Sequence, residues 1–148
     1  MSNLLCHEIS VFVLNNQGQV LLQKRSANKK YFPNTWALCT GHVEKGETPK
    51  EVALRELNEE LGVTVSLEQI FSFSFGKFDS QSTCFFYVIC NFSVDEFSIQ
   101  EEELSEVQWF RVSYVINMIK RHNNKIVYRD DKLELFFALE EFVNHYIL

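Results

Sequence analysis

Glycine and proline are scarce in this chain, with five and two residues respectively among 148. Collagen-like repeats and linker-rich architectures are excluded by that scarcity. Long apolar runs are missing too. The longest, such as Cys84–Cys90, are strand-sized, so no membrane-spanning helix is expected. Basic residues are outnumbered 14 to 20 and the formal net charge is −6. Wrapping a nucleic-acid polymer is disfavoured by that sign. An acidic protein still binds phosphates when a metal ion supplies the positive charge. Residues Met1–Glu8 lack a basic start and an apolar core, so no secretion signal and a cytoplasmic protein are expected. Cysteine is sparse as well. Cys6, Cys39, Cys84 and Cys90 form no C-x-x-C pair, and no His sits at zinc-ligand spacing to two of them. The expectation is four reduced, buried thiols.

Phenylalanine is abundant, at 14 residues, and most of these rings belong in a core. Apolar residues at 46% and charged residues at 23% are ordinary globular values, consistent with one domain spanning residues 1–148. Glu8–Leu14 and Gln19–Lys24 are β-rich segments joined by Asn15-Asn16-Gln17-Gly18, which predicts a hairpin. Ser26–Asn34 is a polar, basic surface loop, and Thr35–Thr40 is a short strand-like run. Val63–Phe75 and Thr83–Phe92 have strand composition. In the first, Phe71, Phe73 and Phe75 alternate with Ser72 and Ser74, the period of a half-buried strand. Ser93–Ser105 is acidic and irregular, and Glu106–Phe110 is another strand. Helical spacing returns at about Ser113–Arg121 and about Asp131–Ile147. The second pattern, with Phe136, Phe137, Phe142 and Tyr146, is apolar almost all round and offers a surface for a partner such as a second copy of the chain. Strands and helices mix without strict alternation, which predicts a mixed sheet with helices packed on it.

The most informative stretch is Gly41–Val63, GHVEKGETPKEVALRELNEELGV. Thr48 is a good N-cap, Pro49 suits the first helical position, and Glu51 three residues after the cap completes a capping box. Gly62 is placed to end the helix in a left-handed conformation. A helix over about Pro49–Leu61 follows. At 100° per residue, Leu54, Leu57 and Leu61 share one face, and Glu56, Glu59 and Glu60 crowd an adjoining one. Like charges at such spacing repel by a few tenths of a kcal/mol per pair. Arg55, four residues before Glu59, offsets part of that. Clustered carboxylate oxygens of this kind suit a hard divalent cation such as Mg²⁺.

The spacing G-x5-E-x7-R-E-U-x-E-E-x-G-U, with U aliphatic, is complete here: Gly41, Glu47, Arg55, Glu56, Leu57, Glu59, Glu60, Gly62 and Val63. Chance would produce it in a chain this long on the order of once in 10⁷. This is the Nudix box, and the chain resembles the Nudix hydrolase family. The resemblance implies an α/β/α sandwich around a mixed sheet, an α+β arrangement. It implies a Mg²⁺- or Mn²⁺-dependent hydrolase that cleaves a small-molecule diphosphate, a nucleoside diphosphate linked to a further group. Residue by residue, Glu56, Glu59 and Glu60 match the metal-binding glutamates and Gly41 the glycine whose backbone approaches metal. Arg55 matches the arginine that orients the carboxylates, and Glu47 a loop-supporting glutamate. Glu59 is the first choice to accept a proton from the attacking water. The acidic group Glu101, Glu102, Glu103 and Glu106 is the alternative source of a base.

The flank before the box, LLQKRSANKKYFPNTWALCTGHVE, resembles the Nudix subgroup related to isopentenyl-diphosphate isomerase. Arg25, Lys29 and Lys30 would suit the non-hydrolysed end of an anionic substrate, and Trp36 belongs either beside the site or in the core. Isomerases use a cysteine immediately before the Gly-His pair. Here that position is Thr40, and Cys39 lies one residue earlier. On a strand, a one-residue shift turns a side chain to the opposite face. Isomerases also lack an intact box, so both departures favour hydrolysis. A third reading is a non-catalytic nucleotide-sensing module, for which a complete set of box glutamates would be unnecessary. Phe71, Phe73, Phe75, Phe78 and Tyr87 are aromatic candidates for stacking on a nucleobase.

Overall fold

In the computed structural model, residues 6–73 and 82–148 are described. Strands β1 (Glu8–Leu14) and β2 (Gln19–Arg25) are joined by the expected tight turn. Buried Asn15 makes that turn. Its side-chain Oδ1 accepts the N–H groups of Gln17 and Gln19, both at 3.0 Å, and Gly18 takes φ 77°. Short strands β3 (Trp36–Ala37) and β4 (Cys39–His42) follow, then helix α1 (Pro49–Leu61). After these come β5 (Phe71–Ser72), β6 (Thr83–Ile89), β7 (Leu104–Arg111), α2 (Val112–Lys120) and α3 (Leu133–Phe142).

The strands form one mixed sheet. β1 runs parallel to β6 along its whole length, from Glu8 opposite Thr83 to Leu14 opposite Ile89. Its other edge is divided. β4 lies antiparallel to Glu8–Val11, and β2 meets β1 only at Leu14 opposite Val20. β2 in turn pairs antiparallel with β7.

Side-chain alternation along β1 sorts the core into two layers. Ile9, Val11 and Val13 face α1 and pack with Val52, Ala53, Leu57 and Leu61. Phe12 and Leu14 face the other way, onto Val115 and Ile119 of α2 and Leu135, Phe136 and Leu139 of α3. The result is the expected α/β/α sandwich, with α1 alone on its side of the sheet among the named helices. Fully burying side chains of this size contributes about 1.5–3 kcal/mol each, so both layers depend on β1 staying in register.

Several elements differ from expectation. Among the described residues of the strand expected over Val63–Phe75, only Phe71–Ser72 are extended in the sheet, and a 3₁₀ turn over Leu67–Gln69 comes first. That turn is nucleated locally: the Gln69 side chain accepts the Ser66 N–H at 2.9 Å. Phe71 is exposed and stacks on Tyr87, while Phe73 is buried against Phe12. Ser74, Phe75 and Phe78 lie outside the described residues. The strand Glu106–Phe110 begins earlier, at Leu104. The last helix opens with a 3₁₀ turn over Asp130–Lys132 and widens to a π-helical turn over Val143–Ile147, leaving Phe137 and Tyr146 exposed. Trp36 packs edge-on against Phe110, in the core layer beneath α2 and α3.

The cysteine expectation is corrected. Cys6 and Cys84 form a disulfide, with Cα atoms 5.7 Å apart, and only Cys39 and Cys90 remain free and buried. The parallel pairing that sets Ile9 opposite Cys84 brings together two residues 78 positions apart. Among the described residues no helix is long and apolar enough to cross a membrane.

Candidate active site

Helix α1 forms as its cap chemistry dictates. The Thr48 Oγ1 accepts the Glu51 N–H at 3.2 Å, and the Glu51 carboxylate accepts the Thr48 N–H at 3.0 Å. Gly62 closes the helix at φ 69°. A Cβ at Gly62 would also lie 2.7 Å from the Ser98 Cβ, so glycine is required there for packing as well as for conformation. What packs is the acidic loop. Ser98 N–H donates to the Leu61 carbonyl at 3.0 Å and Gln100 N–H to the Glu60 carbonyl at 3.1 Å.

Leu57 and Leu61 are buried as the helical spacing requires, and Val52 and Ala53 join them, whereas Leu54 is only half-buried. The polar face converges on Arg55. Its guanidinium donates to both oxygens of Glu47, at 3.2 Å each, and to Glu56 Oε2 at 3.1 Å, with Glu59 Oε1 at 3.7 Å. Glu47 also accepts the Glu44 N–H at 3.0 Å, so one carboxylate braces the loop and the arginine together. Glu59 is the most open of the three helix glutamates and Glu56 is mostly covered.

Glu60 points inward. Its Oε1 accepts from the Gln23 side chain on β2 at 2.7 Å, and the Cys39 thiol lies 3.9 Å away. Burial pushes its carboxyl up to about 7, and the neighbouring carboxylates Glu56 and Glu103 push the same way against the opposing Gln23 hydrogen bond. Burial first, then Glu60 and Glu56, also raise the Cys39 thiol well above its usual range, so it stays protonated. Carboxylate oxygens gathered in this way suit a divalent cation.

Gly41 completes the cluster. A Cβ there would sit 2.5 Å from Glu56 Cγ and 2.9 Å from its Oε2, so the Glu56 carboxylate occupies space that any other residue at 41 would fill. Among the described residues no three His, Cys, Asp or Glu side chains close around a common point. Mg²⁺ does not need such a cage, because it is usually held by one or two carboxylates together with water and substrate phosphate. The donors present therefore fit it.

The remaining predicted residues separate. Lys29 is paired with Glu103, and Lys24 with Glu106 at 3.7 Å. Arg25 Nε donates to the Tyr31 carbonyl at 2.9 Å, and its side chain lines a cavity of about 360 Å³ with Glu8, Ser10, Phe32, Thr40 and Tyr128. This cavity lies on the sheet face opposite Cys39, since Thr40 opens into it and Cys39 packs toward α1. Sequence reasoning missed Gln23 and the wall residues Glu8 and Tyr128. Only the polar character of Gln23 within an apolar strand could have signalled it.

Residues 6–130 match the NUDIX domain model. The chain belongs to the NUDIX domain family. It is 31% identical over 102 residues to a Nudix hydrolase of Listeria innocua, covering 68% of this chain and 60% of that protein. It is 37% identical over 73 residues to an isopentenyl-diphosphate Δ-isomerase of Serratia proteamaculans, covering 49% of this chain and 41% of the isomerase. The chain thus spans less than two thirds of the length of either relative. The crystal structure of DR0079 from Deinococcus radiodurans superposes with a TM-score of 0.72 at 24% identity, covering 89% of this chain and 81% of that one, a likeness of fold.

Proposed function

We propose that this NUDIX domain, taken over residues 1–148, is a Mg²⁺- or Mn²⁺-dependent hydrolase of a small-molecule diphosphate, such as a nucleoside diphosphate linked to a further group. The Arg55-centred carboxylate cluster against Gly41 supports this best. When bound, the metal supplies charge neutralisation of the diphosphate and acidifies water for attack on phosphorus. Glu56, Glu59 and Glu60, with the Gly41 backbone beside them, would hold it, and Arg55 keeps Glu56 from turning away. Glu47 fixes both Arg55 and the loop that approaches the phosphate. Glu59, exposed beside them, accepts the proton of the attacking water. Glu103, next to Lys29 and felt by Glu60, is the loop glutamate best placed to assist. Arg25 meets the non-hydrolysed end of the anionic substrate from the cavity side, and Lys29 does so by exchanging its Glu103 partner.

The partial likeness to isomerases invites a second reading, but their proton-transfer cysteine falls at Thr40. The thiol this chain does have, Cys39, faces α1 and is held protonated.

The test is phosphate or phosphoester release from a panel of diphosphates, with products weighed by mass spectrometry. Activity should vanish with EDTA and return with Mg²⁺. Glu59→Gln should lower kcat by roughly 10²-fold or more. Full turnover in metal-free protein would refute the proposal.

A further inference from the structure

The loop between β2 and β3 holds a residue in a conformation it should avoid. Phe32 has φ 53° and is followed by Pro33. The left-handed region is rare for bulky side chains, and a residue before proline is driven toward extended backbone. Asn34, two residues on, also has positive φ, at 59°. The strain is not released because the loop is pinned at several points. Arg25 Nε holds the Tyr31 carbonyl at 2.9 Å, and the Thr35 hydroxyl holds the Phe32 carbonyl at 2.6 Å. Backbone bonds between Arg25 and Asn34, at 2.9 Å, and between Arg25 and Thr35, at 2.8 Å, close the loop's base.

What the strain achieves is an unburied ring. Phe32 is 60% exposed, yet it lines the cavity of about 360 Å³. An exposed apolar ring gains nothing for folding, and strained residues kept in place cluster at ligand-binding positions. Phe85 on β6 contributes a second aromatic wall. Between them the cavity holds a carboxylate, Glu8, whose Oε1 accepts from the Thr83 hydroxyl at 3.2 Å. A purely aliphatic occupant would leave that carboxylate facing hydrocarbon, which is costly. A planar heterocycle carrying an N–H donor would satisfy both features, with its face against Phe32 and its edge toward Glu8.

We propose that Phe32, held in its strained pose by Arg25 and Thr35, is a specificity-determining residue that stacks on an amino-bearing nucleobase in this cavity. The proposal deepens the hydrolase reading by naming which end of the substrate the cavity takes. It is nevertheless testable without turnover.

The probe is 2-aminopurine riboside 5′-monophosphate, a fluorescent nucleotide with no anhydride bond to cleave. Its emission should be quenched on binding to the wild-type protein. Phe32→Gly removes the ring and suits the positive φ. It should keep or raise the melting temperature while weakening binding roughly tenfold or more, as expected for loss of one stacking partner. Phe32→Leu keeps apolar bulk without the aromatic face and should lose affinity likewise, so the result does not depend on one variant folding. Tyr31→Ala, a neighbouring exposed ring that does not line the cavity, should bind as wild type. Adenosine monophosphate should displace the probe, and an isoprenyl monophosphate should not. An absence of quenching by the wild type would overturn the proposal. So would unchanged affinity in Phe32→Gly and Phe32→Leu, or displacement by the isoprenyl compound as effective as by adenosine monophosphate. If no diphosphate is hydrolysed in the phosphate-release assay, the hydrolase reading fails while this binding result stands.

Discussion

Substituting Gly41 by alanine adds one methyl group, and the structure says where it goes. The new Cβ would fall 2.5 Å from Glu56 Cγ, 2.9 Å from Oε2 and 3.0 Å from Cδ. The nearest of these is a stem atom of a mostly covered side chain, so the carboxylate cannot simply swing its tip away. Either Glu56 rotates, breaking its 3.1 Å contact with Arg55, or β4 withdraws from α1. Overpacking of this kind costs about 1–3 kcal/mol of stability. A displacement of about 1 Å in a positioning group costs about 10² in rate. Gly41→Ala should therefore unfold at lower urea and retain about 1% of wild-type kcat, with a raised Mg²⁺ requirement. Gly46→Ala is the internal comparison. Gly46 has φ 90° and nothing within 4 Å of its would-be Cβ, so that change strains the backbone without touching a carboxylate. It should lose stability with little loss of kcat. The measurements are urea denaturation and initial rates across a Mg²⁺ titration. Wild-type kcat in folded Gly41→Ala would refute the view that Gly41 is there to make room for Glu56.

Three further outcomes are expected. Thr48→Ala should cost about 1 kcal/mol in urea denaturation through loss of the cap, with kcat nearly unchanged; an equally large kinetic defect would blur scaffold and site. Glu60, pushed up to about 7, binds its proton more tightly folded than unfolded, where a glutamate titrates near 4.3. In EDTA its contribution should be complete below about pH 4.3 and fade as pH rises through about 7. The decline should be on the order of 3–4 kcal/mol, and Glu60→Gln should flatten it; a flat wild-type profile would contradict the assignment. Reducing the Cys6–Cys84 disulfide, which closes a span of 78 residues, should lower stability by about 2–5 kcal/mol. An unchanged urea midpoint after reduction would exclude that contribution.

Local chemistry was legible in the sequence and long-range pairing was not. Thr48, Pro49, Glu51 and Gly62 bound α1 because each acts within one helical turn, and the hairpin at Asn15–Gly18 follows from a side chain bonding its own neighbours. The Cys6–Cys84 bond depends on a parallel β1–β6 register that no short-range signal encodes. The same holds for Gln23 meeting Glu60 across 37 positions, and for Glu103 being the loop glutamate that reaches Lys29. The Val63–Phe75 strand failed for a different reason. Its phenylalanine alternation is real, but Ser66 and Gln69 form a capping pair that turns the chain first. Local hydrogen bonding there outcompeted periodicity.

One register position has consequences for both faces of the sheet. β4 pairs with β1 so that Thr40 lies opposite Ser10 and Cys39 opposite Val11. Ser10 and Thr40 both line the cavity, whereas Val11 and Cys39 both sit in the layer under α1. A thiol at position 40 would thus stand among the residues that contact a cavity ligand. A thiol at 39 instead stands behind the carboxylates, 3.9 Å from Glu60. There it cannot reach a ligand in the cavity without β4 slipping by one residue, which would turn every buried side chain of the strand outward. The thiol is also a poor proton carrier, because burial and the adjacent Glu60 and Glu56 both oppose its ionisation. The proposed recognition on the Thr40 face and the proposed cleavage at the α1 carboxylates therefore fall on separate surfaces joined by one strand, and Gly41, the next residue along it, is where the strand comes against the Glu56 carboxylate.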